Sequence, residues 1–180
     1  MCIRDRAYNV QDKVTLFYND YNTYFGIQQT LNLVNFINKD EPEKICGGIG
    51  MQSHVDIKVP TIELYGTALE KFLAAGYEVQ ITELDVTINY DTNGSFSYAD
   101  EKETNADQAK YVGQLMKTIL EKNRSRDKNV NPKGVTSITL WGLYDTISWR
   151  ASCSPLLFDT GITDPKASFY EFINAAKSMG

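Results

Sequence analysis

The run Tyr77-Glu78-Val79-Gln80-Ile81-Thr82-Glu83-Leu84-Asp85-Val86 decides how this chain is read. It follows Gly76, which closes a helical pattern. Val79 and Ile81 lie on one side of a strand, and the strand ends in two acids one residue apart. Side chains alternate along a strand, so Glu83 and Asp85 share a side. An acidic end on an apolar strand is unusual for a plain core element. It is typical of the C-terminal strand ends of α/β barrels, where catalytic residues collect. The competing account is a solvated or salt-bridged terminus.

Working outward, the same unit repeats. Val14 to Tyr18 reads as a strand and runs into Asn19-Asp20-Tyr21-Asn22. Ile27, Leu31, Val34 and Ile37 then keep helical spacing. Ile45 to Met51 is a glycine-rich strand leading into Gln52-Ser53-His54. Glycines weaken a strand unless something must approach closely, and these lack the tight turn into a helix of a dinucleotide fingerprint. Pro60 is placed as a helix-start proline, followed by Ile62, Tyr65, Leu69, Phe72 and Leu73 on one face. After Val86 comes a polar loop, Asn89 to Ser95, then Phe96 and Tyr98; a loop this long is often functional. Thr104 or Asn105 caps the next helix, whose apolar face holds Ala109, Val112, Leu115, Met116, Ile119 and Leu120. Val135 to Trp141 is the last strand. Asp164-Pro165 starts the final helix, with Phe169, Phe172, Ile173 and Ala176 inward.

These are four strand–loop–helix units with near-continuous apolar strands, as parallel strands covered by helices should be. The fold class is α/β. Four units make half of an eight-stranded barrel, which needs about 250 residues. A four-stranded doubly wound domain fits the 180 residues better but explains the polar strand ends less well.

Bulk properties narrow the function. The formal charge is -5 with no Lys/Arg cluster, which disfavours a nucleic-acid partner. No run approaches a membrane span, and no secretory signal is present. Cys2, Cys46 and Cys153 fit no zinc or redox spacing, and one histidine with scattered acids is too few ligands for a metal site. No metal and no cofactor is expected. Serine-hydrolase, phosphate-loop and metalloprotease motifs are absent.

The candidate chemistry gathers at the strand ends. Glu83 leads. His54, the only histidine, ends the preceding unit and should lie beside Glu83, where an imidazole can keep a carboxylate ionised and fixed. Asp85 is a supporting acid. Gln52 shares the parity of His54 and can bond a hydroxylated ligand. Trp141 and Trp149 offer faces for sugar rings, against the plainer account that they are core. Arg150 and Asp145 hold their loop through an ion pair or contact ligand hydroxyls. Asn19, Tyr21 and Asn22 form the rim at the first strand.

Four segments carry a resemblance: Leu16 to Asn22, Gly48 to His54, Val79 to Asp85, and Trp141-Gly142 through Ser148-Trp149-Arg150 with Pro155 to Asp159. Together they resemble glycoside hydrolase family 10, mostly endo-1,4-beta-xylanases, over about Val14 to Ala176. The resemblance implies an eight-stranded barrel, with these units as its fifth to eighth. It places Glu83 on the catalytic nucleophile and His54 on the histidine that bonds it. Gln52 falls in the substrate cleft, and Trp141 and Trp149 enclose the sugar at the cleavage point. Asp85 matches a supporting acid, and Tyr21 borders the outgoing side.

The implied partners are xylan or xylooligosaccharides, and the parent is expected to be extracellular. The family's acid/base glutamate ends the fourth strand, and nothing upstream of Val14 supplies it. Residues 1–180 are therefore expected to be part of one catalytic domain, with 1–13 a leader or truncated element, and to be inactive or nearly so alone. The alternatives are a carbohydrate-binding half-domain, a retaining glycosidase for another beta-glycan, and a poorly folded piece that self-associates through its uncovered half-barrel surface.

Overall fold

The computed structural model describes residues 14–41, 43–90 and 103–178. In chain order these form β1 (Leu16–Asp20), α1 (Ile27–Asn38), β2 (Cys46–Met51), β3 (His54–Asp56), α2 (Ile62–Ala74), β4 (Glu78–Thr87), α3 (Asn105–Ser125), β5 (Val135–Leu140) and α4 (Ala167–Ser178), with short 3-10 turns at Asp145–Ile147 and Ala151–Cys153. All strand pairs are parallel. β1 pairs β2, β2 pairs β4, and β4 pairs β5. β3 continues the track of β2 and pairs the far end of β4. The sheet is curled, a half-barrel of four strand–helix units, which is the partial-barrel reading rather than the doubly wound one.

Helices cover the convex face because each carries an apolar stripe at helical spacing. Tyr65, Leu69 and Phe72 of α2 and Leu115 and Ile119 of α3 are fully buried or nearly so, against Ile49, Val79 and Ile81 of the sheet. Burying each such side chain contributes about 1.5–3 kcal/mol. α2 starts at Ile62, two residues after Pro60, with Thr61 as its cap: the Thr61 side chain accepts from Leu64 N at 3.2 Å, which satisfies an otherwise unpaired helix N–H. Thr104 caps α3 in a capping box with Asp107.

The boundaries differ from the sequence reading at both ends. β1 runs to Asp20, because it stays in register with β2 as far as Asp20↔Met51. The final helix starts at Ala167, not at Asp164-Pro165, because Pro165 forms a bridge with Phe158. Ala175, rather than Ala176, joins Phe169 and Phe172 against the core, and Ala176 is exposed. The loop from Asp91 to Ser95, with Phe96 and Tyr98, lies outside the described residues.

β4 contains one extra residue. Opposite β5, Ile81 faces Ile138 and Leu84 faces Leu140, so three steps on β4 match two on its neighbour. Opposite β2 and β3, Ile81 faces Met51 and Asp85 faces His54, four steps against three. This is a β-bulge. Unbroken alternation from Val79 and Ile81 would send Glu83 and Asp85 into the apolar layer. The bulge instead keeps Leu84 and Val86 in that layer and turns the two acids to the concave side.

Candidate active site

The strand ends converge on the concave side. β1 delivers Asn19, and the loop after it delivers Tyr21. β2 stops at Met51, and Ser53 takes a left-handed turn (φ 66°) before β3 restarts at His54. The Ser53 hydroxyl anchors that turn by sharing a hydrogen bond with buried Tyr65 Oη at 2.8 Å. The bulge of β4 delivers Glu83 and Asp85.

Glu83 is held at both oxygens. Asn19 Nδ2 donates to Oε1 at 3.0 Å, and His54 Nε2 lies 3.2 Å from Oε2. The side chain keeps 14% exposure, so it reaches the cleft while being fixed. The Asn19 amide is oriented in turn: Thr82 Oγ1 donates to Asn19 Oδ1 at 2.6 Å, which leaves the nitrogen toward Glu83. Glycine at 50 is required here. A Cβ there would meet Asn19 Oδ1 at 2.4 Å, and one at Gly48 would meet the Phe17 ring at 2.2 Å. The glycines of β2 thus admit side chains from β1 across the concave face.

His54 sits between two acids. Its Nδ1 is 2.9 Å from Asp85 Oδ2, opposite the Glu83 contact. An ionised carboxylate only accepts hydrogen bonds. Both contacts are therefore satisfied together only when both ring nitrogens carry hydrogen; a neutral ring serves one acid at a time. Asp85 is completely buried. Trp149 Nε1 donates to Asp85 Oδ2 at 2.8 Å, and Arg150 stands 3.6 Å from Oδ1 as a countercharge. Asp85 thereby ties the loop after β5 to the histidine. The Arg150 guanidinium lies over the Trp149 ring at 4.3 Å and the Tyr90 ring at 4.7 Å.

Trp141 and Trp149 are not core residues; they are 47% and 52% exposed. Their rings stand edge-on to His54, at 6.1 and 5.0 Å between centroids. An open cleft of about 500 Å³ is lined by Tyr21, Gln52, His54, Trp149 and Arg150, among others. Glu83, His54, Asp85, Asn19, Trp141, Trp149 and Arg150 are thus linked by contacts, and Gln52 and Tyr21 share the cleft wall.

The expected pair of Arg150 with Asp145 does not form. Asp145 is buried and bonds Lys166 Nζ at 2.8 Å, while Arg150 turns to Asp85. Burial pushes the Asp145 carboxyl above its ordinary range and pulls the Lys166 ammonium below its own. Lys166 and Thr82 were not singled out from the sequence. Lys166 has no periodic signal, and Thr82 looks like an ordinary strand residue until the bulge is seen.

Among the described residues no group of three His, Cys, Asp or Glu is arranged to hold a metal ion, and no helix is long and apolar enough to cross a membrane. Cys46 and Cys153 are both buried.

Known proteins share this arrangement of elements. The model of glycosyl hydrolase family 10 matches residues 5–175. Endo-1,4-beta-xylanase A of Butyrivibrio fibrisolvens is 37% identical over 161 residues, 88% of this chain and 33% of its own length. A beta-1,4-xylanase of Dictyoglomus thermophilum is 33% identical over 176 residues, 93% of this chain and 47% of its own length. The structure of a thermostable xylanase mutant from Cellvibrio japonicus aligns with a TM-score of 0.76 at 28% identity, over 95% of this chain and 52% of that one. The chain thus spans between a third and about half of the length of these three proteins. With a family match along nearly its whole length, the chain belongs to glycosyl hydrolase family 10.

Proposed function

We propose that these four units form part of one catalytic domain and carry the nucleophile side of a retaining endo-1,4-beta-xylanase. The observation that carries this reading is the Glu83 carboxylate, held between Asn19 and His54 at the bulge of β4, with Asp85 behind the histidine. Retaining hydrolysis uses two carboxyl groups ~5 Å apart. In the first step a Glu83 oxygen attacks the anomeric carbon. The bond to the leaving sugar breaks, and its oxygen takes a proton from the second carboxyl group. In the second step water attacks the same carbon and gives its proton to that carboxylate, releasing Glu83. Asn19 and His54 hold the attacking carboxylate, Asp85 orients His54, Trp141 and Trp149 flank the ring, and Gln52, Arg150 and Tyr21 line its path.

Two buried acids on this part of the sheet are committed elsewhere. Asp85 is buried on His54 and Trp149, and Asp56 is buried on Thr87 Oγ1 at 2.8 Å and Lys58 N at 3.0 Å. The family resemblance puts the second carboxyl group on a glutamate ending the fourth strand, outside these four units, and on that reading the 180-residue chain by itself turns over xylan hardly at all. The ligand is xylan or a xylooligosaccharide, not nucleic acid or membrane. Among the described residues β1 and β5 are the edge strands, which makes self-association a hazard, and the parent enzyme acts outside the cell.

A leaving group that needs no proton isolates the first step. Purified chain is incubated with the dinitrophenyl glycoside of 2-fluoro-xylobiose and examined by mass spectrometry. A covalent fluoro-xylobiosyl adduct on Glu83, absent in Glu83→Gln, is expected, without measurable hydrolysis of xylan. Sugar binding with no adduct leaves a binding half-domain instead.

A further inference from the structure

The loop between β1 and α1 exposes two large aromatic rings, Tyr21 at 63% and Phe25 at 58%. Both line the cleft that also contains Gln52, His54 and Trp149. The loop is a built turn. Tyr21 N donates to Asp20 Oδ1 at 2.8 Å, Phe25 N donates to Asn22 O at 2.9 Å, and Asn22 takes the left-handed conformation (φ 53°). Tyr24, between them, is 2% exposed and packs on Tyr65 at 6.0 Å. Its ring meets Phe25 edge-on at 4.9 Å and so supports the exposed ring from below.

The polar groups beside Phe25 are also fixed. Burial pushes the Tyr24 hydroxyl up to about 12, so it stays protonated and donates to Asn22 Oδ1 at 2.7 Å. That leaves the Asn22 amide nitrogen as the end able to donate to a ligand. A supported apolar ring beside an amide donor matches a neutral sugar, which has apolar C–H faces and a rim of hydroxyls.

We propose that Phe25 is an additional stacking position for a xylose unit at the β1 end of the cleft, away from Trp141 and Trp149, with Asn22 donating to a hydroxyl of that unit. The position rests on the xylanase reading above. It lengthens the cleft along the chain of a xylooligosaccharide, so its contribution grows with ligand length.

The test is calorimetric binding of xylobiose, xylotetraose and xylohexaose to the intact 180-residue chain and to Phe25→Ala and Phe25→Trp. An exposed ring can be truncated without opening a core cavity, and thermal melts of the variants verify folding. Phe25→Ala is expected to weaken xylohexaose about 2- to 10-fold and leave xylobiose unchanged, with Phe25→Trp retaining the long-ligand affinity. Equal binding by wild type and Phe25→Ala at every length, or equal weakening at every length, overturns the assignment. If wild type binds no xylooligosaccharide of any length, the xylanase reading itself falls and takes this one with it.

Discussion

Asn19 lies across Gly50 at such close range that a Cβ on Gly50 would stand 2.4 Å from Asn19 Oδ1. The absence of a side chain on one strand thus sets the position of the amide that bonds Glu83 from the next. Gly50→Ala forces the end of the Asn19 side chain to move while leaving the backbone ladder free to stay. The expected outcome is a folded variant with a small change in melting temperature and an adduct-forming rate with the activated fluoroglycoside at least ~10-fold lower, the worth of a hydrogen bond to a charged group.

Thr82 acts one step further back. Its hydroxyl donates to Asn19 Oδ1 at 2.6 Å and so keeps the amide nitrogen toward Glu83. Thr82→Val removes the donor at nearly constant volume and lets the amide turn its oxygen to the carboxylate. We expect the adduct rate to drop several-fold, and Thr82→Ser, which keeps the hydroxyl, to restore it. Equal rates in all three proteins would show that the amide needs no such lock.

The Asp145–Lys166 pair fastens the loop that carries Trp149. Asp145 Oδ1 also accepts from Leu156 N at 2.6 Å, and Lys166 donates to Ser154 O at 2.8 Å. Lys166→Met leaves a buried carboxylate without its cation and should cost about 3–5 kcal/mol in denaturant unfolding. Adding Asp145→Asn, which keeps an acceptor for Leu156 N, should recover much of the loss. A single variant as stable as wild type would show that the pair contributes little.

Glu78, the first residue of β4, predicts an acid-labile contribution. Burial raises its carboxyl, but hydrogen bonds from Lys133 at 2.6 Å and Thr136 at 2.8 Å outweigh burial and hold it below its ordinary value. A carboxyl lowered in the folded state stabilises above its unfolded pKa, about 4.3, and that stability is lost as pH falls through the lower folded value. Melting temperatures measured from pH 6 to pH 3 should therefore fall less steeply for Glu78→Gln than for wild type, with the difference confined to the acid end.

Much of the fold was legible because its signals are local. The apolar stripes of α1, α2 and α3 and the apolar strands β2 and β4 each sit within one short segment, where periodicity reports burial directly. The family resemblance was legible for the same reason, in short segments such as Gly48 to His54 and Val79 to Asp85. The adjacency of His54 to the acids of β4 followed from the order of units in a parallel sheet. Helix starts were less legible, because Pro60 and Pro165 mark chain direction without deciding which neighbouring residue takes the cap.

The sequence by itself determined the four repeating units and the collection of polar residues after each strand, since both are properties of neighbouring residues. Only the tertiary structure decided which way those residues face. Alternation alone aligns Glu83 and Asp85 with Val79 and Ile81, and the extra residue in β4 reverses this because Leu84 and Val86 gain more from the apolar layer than two carboxylates can. The same holds for Thr82, Asn19 and Gly50, which meet only where three strands come together, and for Arg150, which stands as countercharge to Asp85 while Lys166 pairs with Asp145. Such pairings depend on distances between segments far apart in the chain, which no local pattern encodes.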